Sequence, residues 1–136
     1  MIDVKLKYMF DLDVVFGAAI ESAPTQFHET RAFAPVVGGH VDGPSLKGQI
    51  VAGSGGDFAH VRKDGALVET QWMIRADDGT LIVMRNTGYG RDHGSLHVSP
   101  SFEVPDGPHD WLANTMFVGK GERRPGGARF KIYAVM

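Results

Sequence analysis

Runs rich in β-branched and aromatic residues, each of strand length, recur along the chain between clusters of Gly, Pro, Asn and Asp. Apolar spacing at three and four residues is nearly absent, so the pattern predicts an all-β fold. The expected strands are Lys5 to Val15, Thr30 to Val41, Leu46 to Ala52, Phe58 to Arg62, Ala66 to Ala76, Thr80 to Thr87, Ser95 to Phe102, Asn114 to Lys120 and Ala128 to Val135. Short helical turns fit Ala18 to Ser22 and Asp110 to Asn114, and a long loop fits Ser99-Pro100 through Gly107-Pro108. Lys63-Asp64-Gly65, Asp77-Asp78-Gly79 and Arg124-Pro125-Gly126-Gly127 supply the Asp-Gly and Pro-Gly chemistry of tight reversals, so neighbouring strands run antiparallel.

The hairpin from Ala66 to Thr87 is the clearest local feature. At a period of two, Thr70, Trp72, Ile74 and Ala76 share one face of its first strand and Glu69, Gln71, Met73 and Arg75 the other. Both faces carry substantial side chains, as expected of a closed barrel in which one face fills the interior. Which face is which does not follow from the pattern. Upstream, the stretch from Gly38 to Phe58 holds seven glycines around two short β-rich runs, with the acid Asp57 isolated directly after Gly55-Gly56. Glycine this dense inside strand-like sequence marks sharp curvature, or backbone lying close to a ligand. That curvature is placed to aim Asp57 inward.

Composition then narrows the classes of function. At 136 residues the chain fits one domain, 1–136, long enough to bury a core without disulfides or structural metal. A net charge of −2 offers no basic field for phosphate backbones, so no nucleic acid is expected as a partner. The apolar runs fall far short of the roughly 20 residues needed to span a bilayer. Met1 to Phe10 carries two lysines among alternating residues rather than the apolar centre of a signal peptide. No membrane partner and a cytoplasmic location are the expectations. The chain has no cysteine, which excludes thiol nucleophiles, disulfides and thiolate zinc sites.

Arg31 with Gly38-Gly39, the Gly43-Pro44-x-Leu46-x-Gly48 corner, Gly56-Asp57, the turns Asp64-Gly65 and Asp78-Gly79, and the ending Trp111-Leu112 then Phe117-Val118-Gly119-x-Gly121 give the chain a family likeness over nearly its full length. It resembles the bacterial and fungal family known as domain of unknown function 3237. The resemblance implies a compact antiparallel β-barrel, often assembled as an oligomer, and little about activity. Two positions depart from the family pattern. Phe58 stands where Trp is expected after Gly-Asp, and Ala113 where Asn is expected after Trp-Leu. Asn114, one place later, does not simply inherit that role, because a shift of one residue reverses side-chain direction in a strand.

Candidate site residues each have a functional and a plainer reading. Asp57 suits a general base or acid if desolvated inside a barrel, or a turn acid accepting N–H bonds beside Gly55-Gly56. Arg31 suits a clamp for a carboxylate, phenolate or enolate, or a structural partner for Asp57 or another acid. Arg75 lies in a half-apolar strand, and at least one of these two arginines is expected to point into a pocket. His40 and His60 flank the glycine corner and titrate near neutrality, which suits proton shuttling as well as an exposed position. Tyr89 and Trp111 border loops and are pocket candidates, whereas Phe117 and Phe130 read as core. Trp72 and Phe102 fit either.

No metal site is expected. His93 and His97 are four apart, but Gly94 and the β-like sequence around them argue against the helix that spacing needs, and in a strand such positions lie roughly 13 Å apart. Gly53, Gly55 and Gly56 lack the Gly-Lys-Ser/Thr element and following helix of a phosphate loop, and Gly-x-Ser-Gly lacks nucleophile-elbow spacing.

The resulting expectation is a single-domain antiparallel β-barrel of about eight or nine strands that binds a small molecule. Its activity would be cofactor-independent acid–base chemistry, such as isomerisation, cyclisation or elimination, on an apolar oxygenated metabolite. Asp57 would move the proton, Arg31 would hold an anionic oxygen, and Tyr89 or Trp111 would position a ring. The alternatives are a non-catalytic metabolite carrier and a protein-interaction barrel with a filled interior. A homo-oligomer, by preference a dimer, is expected because strands such as Leu81-Ile82-Val83-Met84 are apolar on both faces.

Overall fold

The computed structural model of the chain describes residues 1–91 and 94–136. Its strands are β1 (Leu6–Phe16), β2 (Ile20–Glu21), β3 (Thr30–Asp42), β4 (Lys47–Ile50), β5 (Gly56–Arg62), β6 (Gly65–Ala76), β7 (Leu81–Arg91), β8 (Leu96–Glu103), β9 (Phe117–Arg124) and β10 (Gly127–Val135), with one 3-10 turn at Asp110–Asn114. All strand pairs are antiparallel. β1 pairs with β10 on one side and β3 on the other, so the order β1-β10-β9-β8-β7-β6-β4/β5-β3 returns to β1 as a closed eight-stranded barrel. Closure removes the unpaired edges that an open sheet would expose. Among the described residues no helix is long and apolar enough to cross a membrane.

The period-two alternation becomes inside and outside. Thr70, Trp72, Ile74 and Ala76 are buried within the barrel, while Glu69, Gln71 and Arg75 are exposed on its outer face. Ile82 and Met84 likewise point in, and Leu81 and Val83 sit on the outer row. One end of the barrel is packed solid. Phe10, Phe102 and Phe117 meet with ring centroids 5.3 to 6.2 Å apart, and the 3-10 turn lays Trp111 against Phe117 and buries Leu112 completely. Each such side chain contributes about 1.5–3 kcal/mol through burial.

Several strand ends lie up to four residues from those expected, β9 for example running to Arg124 rather than Lys120, and two stretches differ more. Ala18 to Ser22 is not helical, because Ile20 and Glu21 pair with Phe33 and Ala32 as the short strand β2. The expected strand Ser95 to Phe102 is present as β8, which runs through Pro100 to Glu103, so the long loop begins after Glu103 and not at Ser99. A proline is tolerated there because the β8–β9 ladder ends at Val98 and Gly119, and the Ser99 hydroxyl takes over by donating to the Phe117 carbonyl at 3.0 Å.

β4 and β5 together fill one strand position between β3 and β6. β4 pairs with the end of each neighbour, β5 with the rest, and the ladder breaks at 51–55. Breaking a buried ladder strands backbone groups, and Ser54 reconnects them: its hydroxyl donates to the Val51 carbonyl at 2.7 Å and accepts the Met73 N–H at 2.9 Å. Beyond the break the chain is pinched between two strands. A β-carbon on Gly55 would collide with the Gln71 carbonyl, and one on Gly56 with the Ala34 carbonyl and the Phe33 ring. β5 therefore begins at Gly56, and Asp57 is a strand residue with a fixed direction.

Ser54→Ala leaves the Met73 N–H without its acceptor and is expected to cost about 1–2 kcal/mol. Urea denaturation measures this, and an unchanged midpoint would show that the break does not depend on Ser54.

Candidate functional site

Asp57 owes its aim to register. Ala34, Asp57, Thr70, Asn86 and Pro100 are successive cross-strand partners on β3, β5, β6, β7 and β8, and this row faces the interior. Three neighbouring strands thus place a carboxylate, a hydroxyl and an amide at one level of the barrel, with directly opposed β-carbons about 4.5–5.5 Å apart. Trp72 lies one inward position nearer the packed end. Beyond the row in the other direction, the inner positions of β7 and β9 are Gly88, Gly90, Gly119 and Gly121, followed by Arg123 at the rim. The space beside these glycines is taken by neighbouring side chains, Val98 against Gly88, Leu96 against Gly90, Ile132 and Val98 against Gly119, and Phe130 against Gly121.

Between those side chains and the polar row lies a cavity of about 200 Å³ walled by Phe16, Trp72, Leu96, Val98 and Phe130, with Asp57 and Asn86 in its polar row and Arg123 and Arg124 at the rim. Larger grooves, up to about 740 Å³, lie on the outer face. The interior cavity is distinguished by its polar atoms. Asp57 Oδ1, Asn86 Oδ1 and Trp72 Nε1 are withdrawn from solvent and make no hydrogen bond, although Asn86 is only 3% and Trp72 only 1% exposed. Thr70 does better, donating to the Asn86 carbonyl at 3.4 Å. Each unpaired buried group costs about 1–3 kcal/mol. Three of the five such atoms among the described residues border this one cavity, the others being His109 Nδ1 and Arg129 Nε, and this concentration makes it the candidate site.

Burial pushes the Asp57 carboxyl up to about 6 from the ordinary 3.8, against the opposing pull of the Arg123 guanidinium. Arg123 is positioned by donating from Nη1 to the Arg91 carbonyl at 3.0 Å. It also needs Gly90, where a β-carbon would stand 3.1 Å from Arg123 Nη2. Among the described residues Arg123 forms no salt bridge, whereas its neighbour Arg124 is paired with Glu122 at 3.3 Å.

Of the other residues singled out from sequence, Trp72 and Tyr89 border the cavity with Asp57, and Arg31, Arg75, His40, His60 and Trp111 do not. Arg31 is the partner of His60, three inward-outward alternations away on the outer face; its Nε donates to the Ala59 carbonyl at 3.3 Å and its guanidinium lies 5.9 Å from the exposed Phe58 ring. His60 binds Glu29 at 2.9 Å on the same outer face, and Arg62 Nε donates to the other Glu29 oxygen at 3.0 Å. These partners hold the Glu29 carboxyl below its usual range, His60 foremost. His40 is exposed, 3.9 Å from Asp13, and Arg75 is exposed on the outer row of β6. Trp111 serves the packed end. Tyr89 borders the cavity and also the outer groove, its register partners Leu67 and His97 belonging to the outer row. Asp57 does not cap the glycine turn, since its Oδ1 accepts no hydrogen bond. His93 lies outside the described residues; among those described, no group of three or more His, Asp or Glu gathers.

Asn86 and Arg123 were not singled out. Asn86 had a legible signal, as the polar residue that interrupts the inward series Ile82, Met84. Arg123 shares the parity of Phe117, but the strand was expected to end at Lys120, so the parity was not carried to it.

Over residues 4–135 the chain matches the family described as protein of unknown function, DUF3237. A Rhodopseudomonas palustris protein designated UPF0311 is 25% identical over 138 residues, which span 88% of this chain and 89% of the relative. Among solved structures, a β-barrel-like protein from Acinetobacter baumannii superposes with a TM-score of 0.92 at 24% identity, covering 100% of this chain and 98% of its own. A structure described as an enzyme from Penicillium herquei superposes with a TM-score of 0.80 at 17% identity, covering 98% of this chain and 95% of its own. These likenesses are of fold.

The Asp57 carboxyl has a measurable effect on stability. Because its folded value is raised, the native state holds a proton that the unfolded state has lost between pH 3.8 and about 6, so this group's contribution falls as pH rises through that window and stays low above it. Asp57→Asn removes the penalty. Relative to the parent, the variant is expected to gain about 1–2 kcal/mol between pH 4 and pH 8, reduced from the full linkage value by solvent at the rim. Urea titrations of both proteins at the two pH values test this; a difference independent of pH would place Asp57 in water.

Proposed function

The chain belongs to the DUF3237 family, and we propose that it is a small-molecule-binding barrel in which Asp57 moves a proton on an apolar, oxygenated ligand held in the interior cavity. The observation that carries this reading is the coincidence, at one level of the barrel, of an ionisable group displaced toward neutrality with unpaired buried polar atoms and a cavity to receive a ligand. A filled interior would have favoured a protein-interaction module.

At neutral pH a carboxyl of pKa about 6 is mostly ionised, which makes Asp57 a proton acceptor. It takes a proton from an O–H or C–H of the ligand, leaving a carboxylic acid and an anion on the ligand. The Trp72 N–H and the Asn86 amide are the donors available to that anion, and the Arg123 guanidinium adds its field across a poorly solvated space. Return of the proton at another atom gives an isomer; addition of the anion to a double bond of the same molecule, with the π pair taking the proton back from Asp57, gives a ring; and expulsion of a β leaving group with its electron pair gives an elimination. The Penicillium herquei structure described as an enzyme supplies a precedent for catalysis on this fold. The carrier reading uses the same cavity and differs only in lacking turnover.

Two measurements test the proposal. Carbon NMR of the Asp57 carboxyl is expected to titrate near pH 6, and in Arg123→Gln to titrate higher, because the opposing cation is gone. In D₂O, single-ring ketones that bind the barrel are expected to take up solvent deuterium at the carbon next to the carbonyl at least about 100-fold faster with the parent than with Asp57→Asn. Equal uptake with both would reduce the protein to a carrier.

A further inference from the structure

We infer that the ligand of the interior cavity is a single-ring organic acid carrying a hydroxyl group, with its carboxylate at Arg123 in the rim and its hydroxyl at Asn86 and Trp72 on the floor. The inference rests on the reading of this cavity as a ligand site, but not on proton transfer by Asp57.

Size sets the first limit. An apolar cavity of about 150 Å³ accepts benzene, so one of about 200 Å³ takes one ring with small substituents and excludes a fused pair. The walls between floor and rim are Phe16, Leu96, Val98 and Phe130, which suit the faces of a ring.

The floor sets the second. Asn86 Oδ1 needs a donor and Trp72 Nε1 needs an acceptor, and both residues are more than nine-tenths buried. A hydroxyl is the smallest group that supplies both at once. Satisfying a buried pair discriminates strongly against an analogue lacking the group, because the site is otherwise left unpaired.

Charge sets the orientation. Arg123 presents a planar fork at the rim, held by the Arg91 carbonyl and engaged in no salt bridge among the described residues. Asp57, deeper in, repels a second carboxylate. The anionic end of a ligand is therefore kept at the rim and the neutral hydroxyl goes inward.

Calorimetric titration of the full chain with para-hydroxyphenylacetate, its methyl ester, phenylacetate and a hydroxynaphthoate tests the inference. The hydroxy acid is expected to bind about tenfold or more tighter than either the ester or phenylacetate, and the naphthoate not to bind. Arg123→Gln, at an exposed rim position, is expected to abolish the preference for acid over ester. Asn86→Leu, with its fold checked by circular dichroism, is expected to abolish the preference for the hydroxyl; should it not fold, the comparison with phenylacetate in the parent decides that point. Equal binding of acid and ester, a preference that survives in Arg123→Gln, equal binding of phenylacetate, or no binding of any probe at millimolar concentration would overturn the inference. The proton-transfer reading fails separately. Discriminating binding without deuterium uptake leaves the inference standing, and Asp57-dependent uptake by neutral ligands alone refutes it.

Discussion

Closure of the hydrogen-bonded cylinder between β1 and β3 is the constraint on which the rest of the molecule depends. Eight strands enclose an interior only wide enough for side chains to fill or for one small ligand to occupy. Every inward position is therefore either a core residue or a wall. At one end Phe10, Phe102 and Phe117 use the whole width, and the 3-10 turn supplies Leu112 as a stopper. At the other, glycines on β7 and β9 let Leu96, Val98, Phe130 and Ile132 pack closely against their strands, and the cavity lies among Phe16, Trp72, Leu96, Val98 and Phe130. Close approach of β3 to β1 is itself bought with a glycine: at Gly39, φ is 132°, and a β-carbon would strike the Asp13 carbonyl and Ile50.

The interrupted strand links this architecture to chemistry. Had β4 run on without a break, its ladder would have continued between β3 and β6 with no freedom to reset its direction. The break at 51–55, sealed by Ser54, lets β5 enter on its own register and turns Asp57 inward beside Thr70. That position is unfavourable for a carboxylate, and the neighbouring Asn86 and Trp72 atoms are unpaired as well. A small barrel with a net stability of about 5–15 kcal/mol tolerates several such groups only because the aromatic end is densely packed. The dense packing and the candidate site occupy opposite ends of one cylinder.

Sequence pattern conveyed the fold well and the site unevenly, for reasons that differ residue by residue. The all-β class and the inner set Thr70, Trp72, Ile74 and Ala76 were readable because alternation is local, and only the choice of face needed the partner strands. Asp57 was conspicuous because glycines isolate it. Arg31 was conspicuous for the same proximity, yet its direction depends on the β3–β5 register, which pairs it with His60 and sets it outside. No local pattern encodes that register across the intervening β4. Arg123 reaches the cavity only because β9 extends to Arg124 and Gly90 on another strand makes way for it.

The contrast between the two arginines also bears on what the carboxylate does. A guanidinium beside Asp57 in a direct, fully paired bridge would hold it ionised and low, a structural acid with its lone pairs committed. A cavity with no cation nearby would leave desolvation unopposed and the carboxyl neutral at physiological pH, suited to donate a proton rather than accept one. Arg123 at the rim does neither. It opposes desolvation from a distance, and the balance at about 6 leaves the carboxyl ionisable near neutral pH while its Oδ1 stays uncommitted. An acceptor that is ionised, unpaired and close to neutrality loses little in taking up a proton and little in giving it back. That is the condition under which a single carboxylate can both remove and return a proton within one bound molecule.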